Sequence, residues 1–158
     1  MLTLGIDPGL HGALALVDGD GMAELVADLP AIRDNRLAWI DGGELQSMLL
    51  GALHGRPCRA VVERVSAMPR QGIASAFTFG AGLGSILATL QTLHLPIDLV
   101  TAAEWKRALG LSSDKRASLD KARLLFPGVD LSLAKHADRA EACLIAHFAL
   151  TRRTGGSP

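Results

Sequence analysis

Residues 2 to 7, Leu2-Thr3-Leu4-Gly5-Ile6-Asp7, alternate apolar with small or polar side chains and then meet Pro8-Gly9. That pattern predicts a strand that ends in a turn, with Asp7 as its last residue. Two further apolar-rich runs, 12 to 18 and 22 to 28, flank the turn formers Gly19-Asp20-Gly21 and predict a hairpin. Residues 30 to 39 carry little periodic signal. After Asp41-Gly42-Gly43, the residues Leu45, Met48, Leu49 and Ala52 share one face of a helix expected over 44 to 53. Arg59-Ala60-Val61-Val62-Glu63 is a short apolar strand that again ends in an acid. A polar loop over 64 to 72 leads to a long helix of apolar and small residues over 73 to 93, stopped before Pro96. Residues 97 to 100 fit a fifth strand, and Thr101-Ala102-Ala103-Glu104 matches a capping box that starts a helix. Leu109-Gly110 ends that helix. Ser112 or Ser113 is expected to cap the next one, which Phe126-Pro127-Gly128 closes. A last helix is expected from about 137 to 150.

This order, three strands and then strands alternating with helices, predicts an α/β fold with a five-stranded mixed sheet flanked by helices. The first three strands are joined too tightly for crossover helices and must be antiparallel, whereas the later ones should run parallel to the first. No repeat or linker divides the chain, so residues 1–150 are expected to form one domain and 151–158 a flexible C-terminal tail.

Composition adds limits. A chain of 158 residues with 49% hydrophobic side chains can bury roughly 68–70% of its unfolded surface without disulfides or a structural metal. Cys58 and Cys143 lie in or beside apolar runs and read as reduced core thiols. No uninterrupted apolar stretch of the roughly 20 residues needed for a membrane span is evident, and the N-terminus lacks the basic opening of a signal peptide. The expectation is an intracellular, cytoplasmic protein without a membrane partner. The formal net charge is zero but uneven: residues 1 to 63 hold nine acids and four bases, and residues 64 to 158 hold seven acids and twelve bases. Such asymmetry suits a domain with one face toward a polyanion, although an ordinary solvated surface produces the same count.

Asp7 and Glu63 hold equivalent positions at the carboxyl ends of two apolar strands, the edge where ligands gather in open α/β sheets. Asp138 and Glu141 are three residues apart on the last helix, on the face continued by Ala142, Ile145 and Ala149, so packing of that face carries both acids toward the same edge. Four converging carboxylates repel one another unless a cation neutralises them, and an all-oxygen ligand set suits magnesium or manganese. Two such ions roughly 3.5–4 Å apart activate a water and stabilise a leaving oxygen in phosphodiester hydrolysis. Taken singly, acids placed as Asp138 and Glu141 are more often first-turn acids complementing a helix dipole, and Asp7 alone could equally be a turn former before Pro8. Only the joint placement of four acids favours a metal site.

The same residues resemble a known family. LGIDPG (4 to 9), VVERV (61 to 65) and HADRAEACLIAHF (136 to 148) resemble, in order and spacing, the three acidic motifs of RuvC-type Holliday junction resolvases, particularly their short phage-like forms. These belong to the RNase H-like superfamily. The intervening FTFGAGLGSILATL (77 to 90) and AAEWKRALG (102 to 110) resemble its helices, so the likeness runs from Met1 to about Phe148. It implies an RNase H-like fold, a bacterial or phage-like source, and Asp7, Glu63, Asp138 and Glu141 as catalytic and metal-binding residues. By that likeness Asp7 bridges two magnesium ions, replaceable by manganese; Glu63 holds one, and Asp138 with Glu141 holds the other. Two departures stand out: Glu141 replaces the family's aspartate with an arm one methylene longer, and the loop after Glu63 lacks the aromatic often offered to an opened base.

Candidate DNA contacts follow from charge. Lys106, Arg107, Lys115 and Arg116 lie in the segment 101 to 123, whose net charge is +3, and could hold a duplex backbone. Lys135 and Arg139 lie nearer the acids, Arg64 and Arg70 could meet phosphates from the loop, and Met68 could wedge between bases. His136 falls on the far side of the helix from Asp138 and is expected at the surface. Ala76, Gly80, Gly84 and Ala88 form a stripe of small residues, which suits internal packing as well as the interface of the homodimer that the resemblance implies. The resulting expectation is a structure-selective endonuclease acting on four-way DNA junctions with two metal ions. Its rivals are a catalytically decayed branched-DNA-binding module and an actin-like ATPase, whose two-domain architecture 158 residues would only half supply.

Overall fold

The computed structural model describes residues 1–34, 38–64 and 72–154. Five strands form one sheet in the order β3-β2-β1-β6-β7: β1 (Leu2–Asp7), β2 (Ala13–Val17), β3 (Ala23–Asp28), β6 (Cys58–Glu63) and β7 (Ile97–Val100). β1 and β3 run antiparallel to β2, whereas β1, β6 and β7 are mutually parallel. The mixed sheet expected from connection lengths is therefore present. A separate antiparallel hairpin, β4 (Ala31–Arg33) with β5 (Ala38–Ile40), occupies the stretch that showed no signal. Three-residue strands are too short to display a period.

Alternation along β1 sorts its side chains between two helical layers. Leu2, Leu4 and Ile6 enter a core with Leu45, Leu49 and Leu53 of α1 (Gly42–Leu53) and with Ile86 and Leu90 of α2 (Ile73–Thr92). The opposite face packs on α5 (Ala137–Thr154), with α3 (Ala102–Ala108) and α4 (Lys115–Leu125) behind it. Asp41 caps α1 by accepting from the backbone N–H groups of Gly43 and Glu44, and the Thr101–Glu104 capping box opens α3. Asp114 caps α4 in place of the expected serines; Ser112 instead accepts a hydrogen bond from the Asp114 N–H. α5 continues one turn past its expected end, because nothing before Gly155 breaks it; residues 155–158 of the expected tail lie outside the described residues.

α2 is long and apolar enough in composition to cross a membrane, which the run of uninterrupted apolar residues did not register. Only Gly82, Ile86, Thr89 and Leu90 of this helix are buried, against α1 and β5. Ala76 is partly buried, whereas Gly80, Gly84 and Ala88 of the small-residue stripe face outward, as do Ile73 and Phe77. Both cysteines are free core thiols, and burial pushes Cys58 up to about 11 and Cys143 up to about 12.

Candidate active site

α5 crosses β1 closely enough that only glycine fits between them. A Cβ on Gly5 would lie 2.3 Å from the carbonyl oxygen of Ala142 and 2.5 Å from the nitrogen of Ala146. Asp7 follows two residues later on the same face of β1, and Glu141 and Asp138 lie up to a turn before Ala142 on α5. Close contact at Gly5 therefore delivers all three acids to one place. Carboxylate oxygens of Asp7, Asp138 and Glu141 lie within 4.8 Å of one another.

Burial and charge make this cluster short of positive counter-charge. Asp7 is pushed up to about 8, first by burial and then by the negative charges of Glu63, Glu141 and Asp138, with Lys115 opposing. Glu141 is buried, and its Oε1 accepts from Lys106 Nζ at 2.7 Å and from Ser118 Oγ at 3.0 Å. Asp138 forms an ion pair with Lys115. Burial alone would lower the Lys115 pKa; the hydrogen bond to Asp138 and the fields of Asp138, Glu141 and Asp7 outweigh it and raise the pKa instead.

Glu63 stands beside the trio but outside its 4.8 Å grouping. Its Oε2 accepts from the indole N–H of the buried Trp105 at 2.8 Å. Burial raises the Glu63 carboxyl, and the Trp105 hydrogen bond partly offsets that rise. The structure thus brings three of the four expected acids into mutual reach and places the fourth as the strongest charged neighbour of Asp7.

No family model and no curated protein sequence matches the chain. Solved structures do. RuvC of Thermus thermophilus in complex with Holliday junction substrate superposes with a TM-score of 0.64 at 24% identity, covering 98% of this chain and 97% of that one. A second Thermus thermophilus RuvC structure gives 0.60 at 21% identity over the same shares. The chain has the RuvC fold.

Within this RuvC fold the donor chemistry fits a metal. Asp7, Asp138 and Glu141 offer only hard oxygen ligands, and the raised Asp7 carboxyl marks a place where added positive charge is favourable. The expected DNA-contacting residues divide by environment. Arg107 is exposed on α3 and Arg116 on α4, Lys135 is exposed in a 3-10 turn over 134–136, and Arg64 is exposed at the end of β6. Lys106 and Lys115 are engaged with carboxylates of the cluster. Arg139 makes a two-pronged pair with Asp28 at 2.6 and 2.8 Å, tying α5 to the end of β3. Met68 and Arg70 lie outside the described residues. His136, expected at the surface, is buried, and its Nδ1 lies 3.4 Å from the N–H of Leu133.

Sequence reasoning missed Trp105 and Ser118. Trp105 carried one signal, its place in the first turn of a capped helix beside Lys106. Ser118 carried a fainter one, a hydroxyl on the face of α4 that buries Leu119 and Ala122.

Proposed function

We propose that the protein is a structure-selective DNA endonuclease that resolves four-way junctions by hydrolysing phosphodiesters with two divalent cations, magnesium or manganese. The observation that carries this reading is the meeting of Asp7, Asp138 and Glu141, distant in the chain, within 4.8 Å at the edge of a RuvC-fold sheet. Asp7, Asp138 and Glu141, with Glu63 beside them, would hold the ions. When bound, the ions supply water activation and neutralise charge on the leaving oxygen.

The chain's own groups do the rest. The Trp105 indole orients Glu63. Lys106 and Lys115 offset part of the acids' charge and would meet a phosphate brought to the cluster. Arg107, Arg116 and Lys135 are exposed cations that would hold the backbone of a duplex arm through sequence-independent contacts weakened by salt. A second copy of the chain would dock on the outward face of α2, where Ile73 and Phe77 are 90% and 70% exposed and Gly80 and Gly84 leave no side chain in the way of a close approach. Two active sites then serve the paired cuts that a four-way junction requires. The free thiols of Cys58 and Cys143 suit a reducing, cytoplasmic setting.

The test is cleavage of a synthetic four-way junction beside linear duplex and single-stranded controls. Cutting that needs magnesium or manganese, stops with EDTA and disappears in Asp7→Asn supports the reading. Binding without cutting under every metal condition overturns it in favour of a non-catalytic junction-binding module.

A further inference from the structure

Ser118 is fully buried on the inner face of α4, beside Leu119 and Ala122. A hydroxyl in such a place is costly unless it is hydrogen-bonded. Its partner is Oε1 of Glu141, at 3.0 Å, the atom that Lys106 Nζ also reaches at 2.7 Å. Among the described residues the other oxygen, Oε2, accepts no hydrogen bond.

The two donors on Oε1 respond differently to a metal. Lys106 is a cation, so a dication arriving at Glu141 repels it. Ser118 is neutral, so an arriving dication does not repel it and its hydrogen bond to the carboxylate can persist. We infer that Ser118 is the positioning residue that holds Glu141 in its metal-accepting orientation, while Lys106 is an exchangeable counter-ion. The inference rests on the metal-dependent reading above and deepens it: the buried Ser118–Glu141 hydrogen bond presets one arm of the cation site from α4, across the packing interface with α5. Losing such a bond leaves the ligand present but free to turn, which lowers affinity for the metal without removing it.

A double-mutant cycle tests this by manganese titration calorimetry on the full chain without DNA, using wild type, Ser118→Ala, Glu141→Asp and the double variant. Ser118→Ala is expected to weaken manganese binding about tenfold, with a metal-free melting temperature close to wild type. Glu141→Asp shortens the arm by one methylene and withdraws it from Ser118, so adding Ser118→Ala in that background should change affinity less than about twofold. Wild-type affinity in Ser118→Ala would overturn the inference, as would an equal loss in both backgrounds, which would mean that the serine acts through the fold. Absence of manganese binding by the wild type would sink the metal reading itself and this inference with it, an outcome distinct from the other two.

Discussion

A carboxyl raised from 3.8 to about 8, first by burial and then by neighbouring acids, takes up a proton when the metal-free chain folds anywhere between those two values. The native state then binds more protons than the unfolded one, so the contribution of Asp7 to stability falls as pH rises through that window. Asp7→Asn removes the charge that burial disfavours. In EDTA the variant should be more stable than wild type by about 1–3 kcal/mol at pH 8 and by much less at pH 4, read from urea or thermal unfolding at both values. A variant less stable than wild type at pH 8 would show that Asp7 is not held against its charge. On the proposed reading, a divalent cation would relieve the same repulsion that the proton otherwise relieves.

At the scale of elements, the site depends on how closely α5 rides on β1. Gly5→Ala would put a methyl 2.3 Å from the Ala142 carbonyl, so the helix must move off the strand. The expected loss is about 1–3 kcal/mol of stability, with weaker metal binding because Asp138 and Glu141 travel with the helix. Gly51→Ala on α1, where a Cβ meets nothing within 4 Å, should instead stabilise by roughly 0.5–1 kcal/mol. Equal effects at the two glycines, seen by chemical denaturation, would argue against close packing as the device that assembles the acids. What the sequence made legible was local: the alternation along β1, the apolar run of β6, the terminal acids Asp7 and Glu63, the start of α2 at Ile73 and the capping box at Thr101. The β4–β5 hairpin, the Trp105–Glu63 and Ser118–Glu141 hydrogen bonds and the burial of His136 were not legible. Each comes from short strands or from contacts between distant segments, which leave no period along the chain. Arg139 illustrates the same limit: its charge was visible, but its engagement by Asp28, 111 residues away, was not.

For the whole molecule, segments of opposite net charge pack on the same sheet, with Arg107 exposed on α3 and Lys115 and Arg116 exposed on α4. The exposed apolar face of α2 is the surface assigned to a second copy. Sedimentation should find twice the 16.6 kDa chain mass, reduced to a single chain by Phe77→Asp combined with Gly84→Arg while manganese binding persists. A wild-type monomer at all concentrations would remove that assignment and leave the metal site untouched. The central claim concerns the place where the acids meet, and anomalous diffraction from manganese-loaded crystals reads it most directly. The account predicts an anomalous peak between the carboxylates of Asp7, Asp138 and Glu141 that vanishes in Asp7→Asn. Manganese bound elsewhere, or a peak that survives the loss of Asp7, would contradict it.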